Sequence, residues 1–105
     1  MPTRTPRMEQ IEALLADDPT DSFLRYGLAL EYAGAGDEPA AAEHLLSLIA
    51  DQPYVPAFLM AGQILNRLNR ADEACSVLRR GVAVARDQGN AHAEGEMAGL
   101  LATIE

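Results

Sequence analysis

A chain of 105 residues with 49% apolar content is one domain's worth of sequence, able to bury roughly 60 to 70% of its unfolded surface. Its net charge of −8, from 16 acidic residues against eight arginines and no lysine, leaves no concentrated cationic face for a phosphate backbone or an anionic membrane. Aromatic residues make up only 5% and Trp is absent, so the core must come from Ala, Leu, Ile, Val and Met, and the expected class is all α. The single cysteine, Cys75, cannot form an internal disulfide, and "MPTRTPRMEQ" lacks the apolar stretch of a secretory leader. A cytoplasmic location is therefore the expectation.

Six helices are predicted in chain order. The first covers about Arg7 to Asp17, with Met8, Ile11 and Leu15 on one stripe and Pro19 as its stop. The second starts at Thr20 or Asp21, both good N-cap types, and ends near Ala35, where Gly36 suits a left-handed terminus. Asp37 caps the third, which tolerates Pro39 in its first turn and reaches Asp51. The fourth spans Val55 to Leu68, with Asn69 in the place that Gly36 held. The fifth runs from Ala71 to Gln88 and stops at Gly89; the sixth follows Asn90 nearly to Glu105. Loops this short make neighbouring helices antiparallel hairpins.

The spacing Ala29, Tyr32, Gly36, Ala41, Leu45, Leu48 returns 33 residues later as Gly62, Leu65, Asn69, Ala74, Leu78, Gly81. In each copy a small residue on the first arm (Ala29, Gly62) and one on the second (Ala41, Ala74) fall where the arms face each other, so the axes can approach closely. Tyr32 with Leu45, and Leu65 with Leu78, fill the space beside that contact. A third copy is partial: "IEALLADDP" (11–19) matches "LLSLIADQP" (45–53) at a shift of 34, pairing Leu14 with Leu48 and Leu15 with Ile49. Helix one thus reads as a second arm, and helix six as another first arm. Periodicity of this length implies a solenoid.

"LALEY" followed by Ala41, Leu45 and Pro53, and the weaker set Phe58, Ala61, Gly62, Leu65, Ala74, Leu78, resemble the tetratricopeptide repeat (TPR) family. The resemblance implies antiparallel hairpins wound into a right-handed superhelix: a half-repeat helix at 7–18, repeats at 20–53 and 55–88, and a capping helix at 90–105. Arg25, where an aromatic is common, and Gly81, where Ala is common, depart from the family pattern.

The chemistry-bearing residues point away from catalysis. Cys75 follows Ala74 at the hairpin contact and reads as a small core hydrophobe. His44 and His92 have no Cys or His at ligand spacing; His44 is expected on a solvated face and His92 in the first turn of helix six. Asp17, Asp18 and Asp21 lack the length and distal Glu of a calcium loop, and serve helix ends instead. No enzyme activity, cofactor or metal is expected.

Recognition remains. In TPR proteins the first arms line a concave groove, and the resemblance carries that groove onto Phe23, Tyr26, Leu30, Ala33 and Gly34 in one unit. In the next it falls on Pro56, Leu59, Gln63, Asn66 and Arg67. The competing reading is that Phe23, Leu30 and Leu59 pack beneath helix one or helix six. A chaperone-tail clamp is not expected, because Tyr26 and Leu30 stand where it has Lys and Asn. The expected function is a protein- or peptide-binding adaptor, with a self-associating structural module as the alternative. Helix six bears on that alternative. It carries one apolar stripe (Ala93, Met97, Leu100, Ile104) and a second of Ala91, Gly95, Ala98 and Ala102 on its opposite side, expected to support weak homo-oligomerisation.

Overall fold

The computed structural model describes residues 4–105. Among them the chain forms six helices and no strand: α1 (Pro6–Asp17), α2 (Ser22–Gly34), α3 (Glu38–Asp51), α4 (Val55–Arg67), α5 (Ala71–Asp87) and α6 (Ala91–Ile104). The helix boundaries follow from caps. Asp21, Asp37 and Asn90 accept the backbone N–H of Leu24, Ala40 and Ala93 at 3.0, 3.2 and 3.1 Å, satisfying donors that a helix start leaves open. Thr5 does the same for Met8 at 3.1 Å, ahead of Pro6.

Three helices end through one device. Gly36, Asn69 and Gly89 hold positive φ values of 87°, 61° and 72°. The next residue's N–H then reaches back five positions: Asp37 to the Tyr32 carbonyl, Arg70 to Leu65 and Asn90 to Ala85, at 2.9, 2.9 and 2.8 Å. This turn satisfies the orphan carbonyls and redirects the chain, and asparagine tolerates its left-handed residue better than most side chains.

The helices gather into two compact units, α1–α3 through Gln52 and α4–α6 from Pro53. In the first, α2 packs on both α1 and α3. Ala29 and Ala41 are wholly buried, as are Leu45 and Leu48. Each leucine buried in this way contributes roughly 1.5 to 3 kcal/mol. Polar contacts close the hairpin at its open end. The Gln52 side-chain amide donates to the Thr20 carbonyl at 2.6 Å while its oxygen accepts from the Ser22 hydroxyl. Arg25 reaches across to Asp51 at 2.9 Å and Ser47 at 3.2 Å.

In the second unit α4 touches both α5 and α6. Gly62 lies against Leu78 so tightly that an added Cβ would fall 2.6 Å from the Leu78 Cγ. Gly81 is tighter still in kind, because its Cβ would meet the Cβ of Phe58 at 2.7 Å, an atom with no freedom to swing away. Phe58, Leu65, Leu78 and Met97 have no exposed surface. The Gln88 amide donates to the Pro53 carbonyl at 2.8 Å, so both hairpins carry a glutamine latch just past the second arm.

Candidate functional site

Side chains recurring at three- and four-residue steps share a helix face, which sets the outward surface of each first arm. On α2 that surface carries Phe23, Tyr26, Leu30 and Ala33. Phe23 is 71% exposed and Leu30 36%, whereas Tyr26 and Ala33 are half-buried. On α4 the corresponding positions are Leu59 and Gln63, half-buried, and Asn66 and Arg67, exposed. Gly34 and Pro56 are also exposed.

Helix α1 does not blanket Phe23. Instead the two helices flank a cleft of about 280 Å³, lined by Arg7, Ile11 and Leu14 from α1 and by Phe23, Leu24 and Gly27 from α2. Ile11 reaches toward Gly27, where an added Cβ would meet its Cδ1 in ordinary contact at 3.8 Å. Leu14, at the mouth, is 55% exposed. Beyond the cleft the same helices are tied by polar pairs: Thr5 donates to Glu31 at 3.2 Å and Arg7 lies 3.2 Å from the other Glu31 oxygen. Of the groove residues expected from sequence, only Phe23 lines this cleft. The α1 residues were not in that set. Their signal was the offset pairing Leu14 with Leu48, since a leucine in a second arm needs a first arm to cover it.

The histidines divide. His92 is exposed and lies 3.0 Å from Glu96 one turn on. His44 departs from the solvated face expected of it: its ring stacks on Tyr32 with centroids 4.8 Å apart and planes 16° apart. Burial, with Arg25 nearby, lowers its pKa below 6.5, and Asp37 offsets part of that. The sequence signal was that His44 precedes Leu45, the residue already paired with Tyr32 across the hairpin. Cys75 is among the buried residues of α5 and is in no disulfide. Asp21 acts as the cap of α2.

Helix α6 presents two faces. Met97 is buried and Ala93, Leu100 and Ile104 are half-buried, while Ala91, Gly95, Ala98 and Ala102 are exposed. Arg86 and Arg79 of α5 pair with Glu94 and Glu105, the former at 2.9 Å. Among the described residues no helix is long and apolar enough to cross a membrane.

A repeated helical hairpin with small residues at its crossing and caps at a constant offset defines a helical-repeat protein. Residues 2–83 match the family model described as tetratricopeptide repeat, and the chain belongs to that family. It is 30% identical over 99 residues to a TPR repeat-containing protein of Pseudomonas aeruginosa, an alignment spanning 93% of this chain and 94% of that one. Among solved structures it is similar to a tetratricopeptide repeat domain protein from Salinibacter ruber, with a TM-score of 0.78 and 30% identity over 83% of this chain and 89% of that one. A protein from Bordetella parapertussis gives a TM-score of 0.77 at 25% identity, covering 97% of this chain and 89% of the other. Domains of this family are in general non-catalytic protein-interaction modules.

Proposed function

We propose that this chain is an adaptor that binds a protein or peptide partner through the outward faces of its first arms, with no catalytic step. The observation that carries the reading is the exposure of Phe23, a large apolar side chain left 71% open on a face that also carries Leu30 and Tyr26. An exposed aromatic beside a hydrogen-bonding tyrosine is the composition enriched at interaction hot spots. The α4 face, taken by itself, carries the hydrogen-bonding set Gln63 and Asn66 and the cation Arg67 beside the apolar Leu59, and the α2 face carries Ala33. An amide such as Asn66 pairs with the backbone of an extended peptide, and Arg67 favours a carboxylate on a molecule that is otherwise acidic.

Affinity capture from the source cell's lysate, followed by titration of the captured partner against labelled protein, tests this. Tyr26→Ala is expected to weaken binding by about 2 kcal/mol, some thirtyfold, while circular dichroism stays unchanged. Chemical shifts confined to α3 and α5, with Tyr26 and Arg67 unmoved, would show that the first arms are not the binding face. A secondary, weak self-association rests on the exposed small-residue stripe of α6. Sedimentation that stays monomeric at high concentration removes that second reading.

A further inference from the structure

Helix α6 has the register of a first arm but no second arm to pack on. By the 33-residue offset, Arg25 and Phe58 correspond to Ala91, Ala29 and Gly62 to Gly95, and Tyr32 and Leu65 to Ala98. In α4 this set is enclosed by the second arm α5: Phe58 lies on Gly81, Gly62 lies on Leu78, and Leu65 has no exposed surface. In α6 all three counterparts are exposed, and a Cβ added at Gly95 would meet nothing within 4 Å. The small residues of α6 are therefore the crossing face of a first arm, left bare. Helix α1 presents the reverse. At offsets of 34 and then 33, its Arg7, Ile11 and Leu14 stand where α5 has Ala74, Leu78 and Gly81. It is a second arm without its first, and Leu14 is 55% exposed where Leu48 is wholly buried.

We propose that the crossing face of α6 binds a second copy of this chain, taking that copy's α1 as its missing second arm. Register and size carry the assignment together. The α4–α5 hairpin pairs Phe58 with Gly81 and Gly62 with Leu78, so a step forward on one arm is a step back on the other. Moved to the equivalent positions, Ala91 meets Leu14, Gly95 meets Ile11 and, one turn on, Ala98 meets Arg7. In the intact hairpin a large residue always faces a glycine. At the proposed contact each larger α1 side chain again faces a small one. Among the three first arms α6 alone is small at the position opposite Leu14, where α2 has Arg25 and α4 has Phe58. Arg7 keeps its pairing with Glu31 at 3.2 Å, and only the methylene stem of that 74% exposed side chain is needed to cover Ala98. The two patches differ, so the association is head to tail and leaves one open end of each kind. A single helix on a single helix stays below the roughly 1,200 Å² of stable interfaces, so the dissociation constant is expected on the order of 0.1 to 1 mM.

This rests on the self-association reading and makes it specific, yet the two can fail separately. The test is sedimentation equilibrium of the full chain up to millimolar concentration. Leu14→Glu and Gly95→Glu should each weaken association at least tenfold. Both sites are exposed, so the helical spectrum of each variant should match the wild type; a variant that loses it is replaced by Leu14→Ala or Ala91→Leu. Ser76→Glu adds the same charge on an exposed face of α5 and should change association less than twofold. The decisive sample is an equimolar mixture of the Leu14→Glu and Gly95→Glu chains. The unaltered α6 of the first can still meet the unaltered α1 of the second, so the mixture should form a dimer that grows no further. A mixture that stays monomeric, or association that survives either substitution alone, would overturn the head-to-tail contact. Loss with Gly95→Glu but not with Leu14→Glu would give α6 to a symmetric contact with another α6, and the self-association reading would stand without this inference. A wild-type chain that is monomeric at millimolar concentration overturns both and leaves the adaptor reading to the Tyr26→Ala measurement.

Discussion

The hairpins α2–α3 and α4–α5 repeat at an offset of 33 residues, but different forces hold them closed. At one equivalent position α2 carries Arg25 and α4 carries Phe58. Arg25 spans to Asp51 and Ser47 along a partly wet edge, with the Asp51 side chain 60% exposed. Phe58 is wholly buried against Gly81, and Arg80 stacks over the outer side of its ring at 5.2 Å. A solvent-screened ion pair contributes little, whereas a buried phenyl ring removes a large apolar area from water. The lesson is that one backbone geometry can be closed by a polar clasp or by an apolar plug. The plug demands a glycine opposite and the clasp does not: Leu48 sits where Gly81 does.

The largest expected effect breaks the second hairpin. Phe58→Ala should destabilise it by about 3 to 5 kcal/mol, because the ring's transfer energy is lost and a cavity is left among Gly81, Met97 and α5. Hydrogen exchange resolved by residue should show amides of α4–α6 opening while those of α2–α3 keep their protection. Equal loss of protection in both would mean that the two units do not open separately.

Next come the crossings themselves. Ala41→Leu and Ala74→Leu each insert side-chain volume where none is exposed and should cost about 1 to 3 kcal/mol. Unfolding in urea reads this directly. If both variants unfold at the wild-type midpoint, the small residues are not what sets the helix spacing.

Arg25→Ala sharpens the contrast from the other side. With the arginine side chain 18% exposed and its partner 60%, the expected loss is at most about 1 kcal/mol, and it should shrink at high salt. A loss as large as that of Phe58→Ala would show that the clasp and the plug are energetically alike.

The smallest effect is a pH dependence confined to the first unit. His44 has a folded pKa below 6.5, so below that pH the unfolded chain binds the proton more readily. Stability contributed by the neutral, stacked ring is present above about pH 6.5 and falls as the pH drops toward the folded value. His44→Gln should flatten unfolding free energy between pH 7 and about pH 5.5, where carboxylates remain mostly ionised. An unchanged slope in the variant would remove His44 as its cause.

Much of this molecule is written locally. Asp21, Asp37 and Asn90 as caps, and Gly36, Asn69 and Gly89 as left-handed stops, depend on a few neighbouring residues, so their types and positions were enough to place the helices. The small pairs at the crossings were legible for a related reason, since the 33-residue repeat shows one solution twice. Arg25 looked like a lapse in the pattern because its partner Asp51 lies 26 residues away. His44 looked solvated because the ring that shelters it belongs to another helix. What only the tertiary structure decided is coverage. Leu14 and Leu48 are the same residue at equivalent positions, yet one is open and the other sealed. Sequence specifies which face of a helix is apolar, through periodicity, but burial depends on what the fold lays over that face.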